Sequence, residues 1–221
     1  MAAIIRAALF DMDGLMFDTE RLADRVWEQT VPRYGYAFGP DDMALLRGVS
    51  YEAGRRALAQ RFGPQFPFVQ IHAACTAEMR RLLARSVPKM PGLDALLAFL
   101  RAHGVAMAVA SSTNRAQVEE YLETAGVRGF FGAVLGGDMI ERSKPCPDIY
   151  LAAARALGVP PEECLVLEDS YNGVRAGAAA GCETVMIPDL APATDEMRAL
   201  AACVLPGLAD VAGYLAGRTP R

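Results

Sequence analysis

The stretch IIRAALFDMDG (residues 4–14) joins a short apolar run to two aspartates and a glycine. Residues 4–10 are apolar except for one arginine, which is typical of a strand buried on both faces of a sheet. Asp11 and Asp13 follow at once, and Gly14 permits a sharp turn of the backbone. The stretch therefore predicts a buried strand whose end presents two carboxylates to one crevice.

Four further apolar runs look like strands, and helical patterns lie between them. The strand candidates are residues 105–110, 133–135, 164–167 and 184–187. The helix candidates are residues 93–102, 115–124, 149–157 and 174–180. A glycine follows closely behind each helix candidate, as expected at a helix C-terminus. Strands and helices that alternate in this way predict an α/β fold with a parallel sheet covered by helices on both faces.

One block of the chain interrupts this alternation. From about residue 15 to residue 86 the pattern is helical, most clearly at residues 22–31, 53–61 and 69–85. We therefore predict a catalytic core of residues 1–14 and 88–221, a helical cap of residues 15–87, and hinges near residues 15–17 and 86–91. Ligands of open α/β sheets bind beyond the carboxyl ends of the strands, so the inserted block is expected to cover that site. Helical decoration away from any site is the alternative.

The composition is that of a globular protein. The chain has 221 residues, of which 52% are hydrophobic and 22% are charged, and its formal net charge is -4. No run of lysine or arginine forms a basic patch, so we expect no binding to nucleic acid. The apolar stretches are much shorter than the roughly 20 residues of a membrane span, and no signal peptide is recognisable. An odd number of cysteines suits reduced thiols. We expect a cytoplasmic monomer with no membrane association.

Polar residues follow several of the predicted strands. They are Asp11 and Asp13, the hydroxyl run Ser111-Ser112-Thr113, and the acidic pair Glu168-Asp169, with Lys144 in the segment that precedes the helix candidate at residues 149–157. Each group alone could be a turn or a helix cap. Together they would bring carboxylates, hydroxyls and one cation to the same edge of the sheet. Clustered carboxylates repel one another unless a hard cation neutralises them, and ligand sets made only of oxygen favour Mg²⁺.

The chemistry that such a set supports is phosphoryl transfer. Lys144, Ser111 and Ser112 are candidates to hold the anionic part of a substrate. A carboxylate can act as the nucleophile and form an aspartyl phosphate. A second carboxyl group nearby can protonate the leaving oxygen and later accept a proton from water. We therefore expect a small phosphorylated metabolite as the partner.

These residues carry a family resemblance. Asp11-Met12-Asp13-Gly14, Ser111, Lys144 and Glu168-Asp169 resemble, in order and in strand context, the four motifs of the haloacid dehalogenase superfamily. The resemblance covers essentially the whole chain. Residues 10–20 and the inserted helical block are similar to the β-phosphoglucomutase-like and sugar-phosphate phosphatase branch.

The resemblance implies a Rossmann-like core with a small helical cap and a role for each motif residue. Asp11 would be the nucleophile and Asp13 the general acid and base, while Ser111 and Lys144 would hold the transferring phosphoryl group. The implied Mg²⁺ ligands are Asp11, the backbone carbonyl of Asp13, Asp169, and Glu168 either directly or through water. The second aspartate also argues against dehalogenation, since the dehalogenases of this superfamily lack it.

Two positions depart from the mutase members of that branch. Ala23 stands where they carry a histidine, and Tyr51 stands where they carry a phosphate-binding arginine. Arg47 lies nearby and is a candidate to replace that arginine, and residues 47–51 are a candidate specificity loop of the cap. A mutase must hold a second phosphate on its substrate, so these departures favour simple hydrolysis over a phosphoglucomutase-type transfer.

Two other classes of protein share part of the pattern. Receiver domains of two-component signalling combine an acidic cluster, a phosphorylated aspartate and a lysine, but they are about half this length and have no helical insertion. A catalytically idle relative that binds a metabolite would also match. Sugar phosphates, nucleoside monophosphates and phosphoglycolate all remain possible substrates.

Overall fold

The computed structural model describes residues 4–46 and 51–217, and a six-stranded parallel sheet forms its centre. The strands are β1 (Ala7–Phe10), β2 (Ala106–Ala110), β3 (Ala133–Leu135), β4 (Cys164–Glu168), β5 (Glu183–Met186) and β6 (Cys203–Val204). Their order across the sheet is β3-β2-β1-β4-β5-β6. The predicted α/β fold with a Rossmann-like parallel sheet is confirmed.

Helices connect these strands and form the insertion after β1. They are α1 (Thr19–Thr30), α2 (Pro40–Ala44), α3 (Tyr51–Phe62), α4 (Phe68–Leu83), α5 (Leu93–Ala102), α6 (Arg115–Thr124), α7 (Asp148–Leu157), α8 (Tyr171–Ala179), α9 (Asp195–Leu200) and α10 (Val211–Ala216). Among the described residues, no helix is both long enough and apolar enough to cross a membrane.

The chain divides into two compact units. One unit consists of residues 1–18 together with residues 87–221, and it holds the whole sheet. The other unit consists of residues 19–86 and contains α1 to α4. This helical unit has its own apolar cluster, made of Val26, Trp27, Val31, Met43, Leu58, Phe66, Phe68, Ile71 and Cys75. The helical insertion after the first strand is thus a separately packed body.

The sheet unit places β1 at its centre. β1 pairs with β2 on one side and with β4 on the other, and all four of its residues are fully buried. Burial on both faces explains why this strand is a continuous apolar run and not an alternating one. Consequently the residues that follow β1 emerge between the carboxyl ends of β2 and β4.

Most elements differ from their predicted bounds by up to three residues. β1 begins at Ala7, although Arg6 still donates its N–H to the carbonyl of Glu163 and accepts from the N–H of Ala106, and Ile4 is largely exposed. β6 was not predicted, since two residues are too short to produce a periodic pattern. α2, with five residues, was missed for the same reason.

Candidate active site

Asp11 occupies the centre of the carboxyl edge of the sheet. Its backbone N–H donates to the carbonyl of Leu167, 3.1 Å away, which extends the pairing of β1 with β4 by one residue. The chain then turns at Gly14, whose φ of 85° lies in the left-handed region. A Cβ at Gly14 would lie 2.3 Å from Oδ2 of Asp169. A glycine is therefore needed here for both the turn and the close approach of the two motifs.

Lys144 is the one cation in this cluster of described side chains. Its Nζ donates to Asp11 Oδ1 at 2.5 Å, to Glu168 Oε1 at 2.7 Å and to the carbonyl of Ala110 at 3.0 Å. The side chain is only 5% exposed. Because an ammonium has three donors, these bonds fix it at the meeting point of β1, β2 and β4.

Glu168 is fully buried and accepts hydrogen bonds at both carboxylate oxygens. Oε1 accepts from Lys144 Nζ and from the hydroxyl of Tyr150, each at 2.7 Å. Oε2 accepts from the backbone N–H of Ser170 at 3.0 Å and from its hydroxyl at 2.9 Å. These protein donors compensate much of the cost of burying the charge.

Three carboxylates form a cluster suited to a hard cation. Oxygen atoms of Asp11, Glu168 and Asp169 all lie within 4.8 Å of one another, and all three residues are buried. When ionised, they carry three negative charges beside the single positive charge of Lys144. Such a surplus of charge on oxygen ligands alone fits a divalent cation of the Mg²⁺ type and does not fit a zinc site.

The electrostatics of the cluster agree with that fit. Burial raises the pKa of Asp11, the charge of Lys144 opposes this, and the charges of Glu168 and Asp13 add to it. Burial would lower the pKa of Lys144, but Asp11 and Glu168 outweigh it and raise that pKa. Lys144 therefore stays an ammonium, and the carboxylates favour an additional positive charge, whether a proton or a metal ion.

The hydroxyl run after β2 lies in three different environments. Ser111 is buried, and its Oγ accepts from the backbone N–H of Thr113 at 3.1 Å. Ser112 is exposed. The hydroxyl of Thr113 donates to Asp13 Oδ2 at 2.8 Å. The following residue, Asn114, caps α6 by accepting from the N–H of Gln117.

The structure thus brings most of the predicted site residues to one edge of the sheet. Asp11, Lys144, Glu168 and Asp169 form the cluster just described, and Asp13 is tied to the loop that carries Ser111 and Ser112. Arg47 lies outside the described residues. The catalytic roles assigned to these residues stay predictions.

Two residues of the site were not identified from the sequence. Tyr150 lies on α7, is fully buried and donates to Glu168, and its ring centroid is 4.9 Å from Lys144 Nζ. Burial and the charge of Glu168 raise its pKa well above the usual value, so the hydroxyl remains a donor. Gly173 on α8 is the other, since a Cβ there would lie 1.6 Å from Glu168 Oε1. In the sequence, both look like ordinary helical residues.

The fold and the site define a class of protein. The sheet is parallel, and a carboxylate, a buried lysine and a buried acidic pair lie at its carboxyl edge, which is where α/β proteins of this architecture bind their ligands. The comparison with known proteins specifies the family. Residues 5–181 match the haloacid dehalogenase-like hydrolases, and the chain belongs to that family. The resemblance inferred from the four motifs is confirmed.

Individual relatives agree. The chain is 36% identical over 210 residues to a probable pseudouridine-5'-phosphatase from Drosophila melanogaster, covering 91% of this chain and 89% of that one. It is 29% identical over 181 residues to a phosphorylated carbohydrates phosphatase from Thermotoga maritima, covering 82% and 84%. A family hydrolase from Deinococcus radiodurans, solved with bound phosphate and sodium, superposes with a TM-score of 0.84 at 29% identity, covering 97% and 96%. The predicted enzyme class, a haloacid dehalogenase-like phosphatase, is confirmed.

Proposed function

We propose that this protein is an Mg²⁺-dependent phosphatase that hydrolyses a small phosphomonoester through an aspartyl phosphate on Asp11. The observation that carries the proposal is the buried ammonium of Lys144, held between Asp11 and Glu168 at the carboxyl edge of the sheet. The names of the relatives, a pseudouridine-5'-phosphatase and a phosphorylated carbohydrates phosphatase, favour a substrate whose phosphate is esterified to a sugar hydroxyl.

The first half of the reaction forms a covalent intermediate. A carboxylate oxygen of Asp11 attacks phosphorus, and the bond from phosphorus to the alcohol oxygen breaks. The carboxyl group of Asp13 gives its proton to that oxygen, so that a neutral alcohol leaves. Lys144 fixes Asp11 through Oδ1 and places its positive charge beside the phosphoryl group, while the hydroxyls of Ser111 and Ser112 would donate to the phosphoryl oxygens.

The second half regenerates the enzyme. Water attacks phosphorus while the carboxylate of Asp13 accepts one of its protons, and the bond between phosphorus and the Asp11 oxygen breaks. Asp11 is restored as a carboxylate, and inorganic phosphate leaves. One group acts as acid in the first half and as base in the second, so its proton balance closes over the cycle.

The metal would be held by Asp11, Asp169 and the backbone carbonyl of Asp13. When bound, it supplies positive charge that offsets the repulsion between the phosphate and the carboxylates. Glu168 already accepts hydrogen bonds at both oxygens from Lys144, Tyr150 and Ser170. This saturation favours contact with the metal through water, while the direct role of Glu168 is to hold Lys144.

We also propose that the helical unit acts as a cap that opens and closes on two adjacent connections. The amide of Asp18 donates to the carbonyl of Pro88, and the amide of Met90 donates to the carbonyl of Met16, each at 2.9 Å. The two connecting segments therefore run side by side near the predicted hinges. Such closure would exclude water during transfer to Asp11 and admit it afterwards.

The experiment that tests the function is phosphate release from a panel of phosphomonoesters, with Mg²⁺ and with EDTA. We expect release with Mg²⁺, little with EDTA, and loss of release in Asp11→Asn. Asp210→Asn is the matched control. Asp210 is exposed and is not part of the acidic cluster, so this variant should keep wild-type activity. Release that survives Asp11→Asn would contradict the proposal.

The same panel separates the alternatives. Conversion of β-glucose 1-phosphate to glucose 6-phosphate without free phosphate would make the protein a mutase, despite Ala23 and Tyr51. Absence of turnover across the panel, together with binding of phosphorylated compounds, would favour the idle relative.

A further inference from the structure

A hydrogen bond joins two strand ends that are far apart in the sequence. Thr113 Oγ1, in the loop after β2, donates to Asp13 Oδ2, in the turn after β1, across 2.8 Å. This bond to Oδ2 restricts the rotation of the Asp13 carboxylate. Thr113 is therefore placed to act on the group to which the proposed function assigns proton transfer.

The backbone of Thr113 is itself held on both sides. Its N–H donates to Ser111 Oγ at 3.1 Å, and its carbonyl accepts from the N–H of Gly137 at 2.9 Å. The next residue, Asn114, begins α6 as its N-cap. Because the backbone is held at Thr113 and at Asn114, the Thr113 side chain loses little further conformational entropy when it orients a neighbouring group.

The loop after β3 packs unusually closely against this segment. A Cβ at Gly136 would lie 2.2 Å from the amide nitrogen of Arg115, and one at Gly137 would lie 2.3 Å from the carbonyl oxygen of Ser112. Asp138 Oδ1 accepts from the same amide of Arg115 at 2.7 Å. The close contacts of Gly136 and Gly137 and the hydrogen bond of Asp138 therefore hold residues 112–115 in one position.

We propose that Thr113 is a positioning residue that holds Asp13 in line for proton transfer to the leaving group, and that it thereby sets the preference for alkyl phosphates, whose leaving groups need a proton. The inference rests on the proposed function, because it takes Asp13 as the general acid. In the step concerned, the bond from phosphorus to the alcohol oxygen breaks, an Asp11 oxygen bonds to phosphorus, and the Asp13 proton moves to the alcohol oxygen.

Two substrates distinguish positioning of the acid from a general structural role. A sugar phosphate releases an alkoxide-like oxygen that must be protonated as it leaves, whereas p-nitrophenyl phosphate releases a stabilised phenolate that needs no proton. For both, kcat/KM reports the steps up to transfer of the phosphoryl group to Asp11. The ratio of the two kcat/KM values therefore measures the contribution of the acid.

The test compares Thr113→Val, which keeps the shape and removes the hydroxyl, with Thr113→Ser, which keeps the hydroxyl. For Thr113→Val we expect kcat/KM for the best alkyl phosphate to fall about 10-fold to 100-fold, the effect of losing one hydrogen bond to a charged group. The value for p-nitrophenyl phosphate should change by less than about 2-fold on the same argument. Thr113→Ser should restore most of the alkyl activity. Thr124→Val, at the exposed end of α6, is the matched control.

The double variant with Asp13→Asn completes the test. Where Asp13 can no longer transfer a proton, Thr113→Val should have no additional effect on the alkyl phosphate. An equal fall for both substrates, or a full additional effect in the Asp13→Asn background, would overturn the inference. If Thr113→Val failed to fold, Thr113→Ala removes the same hydroxyl without the second methyl group of valine. Unchanged hydrolysis in Asp11→Asn would instead sink the proposed function itself.

Discussion

At the scale of single residues, Lys144 explains why four separate motifs converge. A buried ammonium is costly unless its donors are all used, and here they are used by Asp11, Glu168 and the carbonyl of Ala110. Each of these partners lies at the end of a different strand of the sheet. The folded sheet thus satisfies all three donors of this lysine, and the lysine in turn fixes the carboxylate of Asp11.

The same cluster makes the stability of the metal-free protein depend on pH. Burial raises the pKa of Asp11 above its usual 3.8, to about 7. Between these values the folded protein keeps a proton that the unfolded chain has released, so stability falls as the pH rises through this window. Asp11→Asn removes that penalty. We expect it to raise the Tm in EDTA by several degrees at pH 8 and by much less at pH 5.

Thermal unfolding of the wild type and of Asp11→Asn in EDTA, from pH 5 to pH 8, measures this difference in Tm. Mg²⁺ provides the control, because it should stabilise the wild type at pH 8 but not Asp11→Asn, which lacks the negative charge of the Asp11 carboxylate. A difference in Tm that stays constant from pH 5 to pH 8 would show that Asp11 is already ionised in the metal-free protein.

The residues that form this cluster differ in how well the sequence indicates them. Asp11, Glu168 and Asp169 stand out because charged residues are unexpected at the ends of buried strands, and Lys144 stands out as one of two lysines in a chain that otherwise uses arginine. Tyr150 does not stand out, since a tyrosine on the apolar face of a helix is ordinary core, and only its distance to Glu168 identifies it. The sequence shows which residue types are unusual at a given position, whereas the hydrogen-bond partners of those residues are seen only in the folded structure.

At the scale of elements, α8 is adapted to the carboxylate that it covers. Ser170 caps this helix by accepting from the N–H of Gly173, and its hydroxyl donates to Glu168 Oε2. The helix begins so close to Glu168 that a Cβ at Gly173 would lie 1.6 Å from Oε1. Glycine is a poor helix former, and its presence in the first turn is explained by this contact.

Gly173→Ala is therefore expected to displace Glu168 and Lys144. The variant should lose most of its phosphatase activity and about 1–3 kcal/mol of unfolding free energy, as is usual for overpacking. Gly213→Ala in α10 is the matched control, because no atom lies within 4 Å of a Cβ built there. There alanine should be neutral or stabilising by about 0.5–1 kcal/mol, since it favours a helix over glycine. Urea denaturation and phosphate release measure both variants, and full activity in Gly173→Ala would refute this reading of α8.

The bounds of α5 and α6 follow from the sequence, and the close approaches between loops do not. α5 and α6 end where the apolar period stops and a glycine follows, so both were predicted residue for residue. By contrast, nothing in the sequence shows that Gly137 faces Ser112 or that Gly173 faces Glu168. Such contacts depend on how strand ends are aligned in space, and that alignment is set by the pairing of the whole sheet.

At the scale of the whole molecule, the acidic cluster belongs to one of the two units. Asp11, Glu168 and Asp169 all lie in the sheet unit, which the chain enters at its start and re-enters after residue 86. The helical unit, residues 19–86, packs around an apolar cluster of its own. A ligand that binds one folded unit stabilises that unit by mass action and leaves an independent unit unaffected.

Hydrogen exchange with and without Mg²⁺ measures whether the sheet unit and the helical unit open independently of each other. We expect Mg²⁺ to slow exchange in peptides that cover β1 and β4, because opening of these strands would release the metal. Peptides from α4 should exchange at the same rate in both conditions, because no residue of that helix belongs to the acidic cluster. The variant Asp169→Asn supplies the control, since loss of one ligand should abolish the protection in β1 and β4. Equal protection of α4 would mean that the two units open as one cooperative body, contrary to the expected independence.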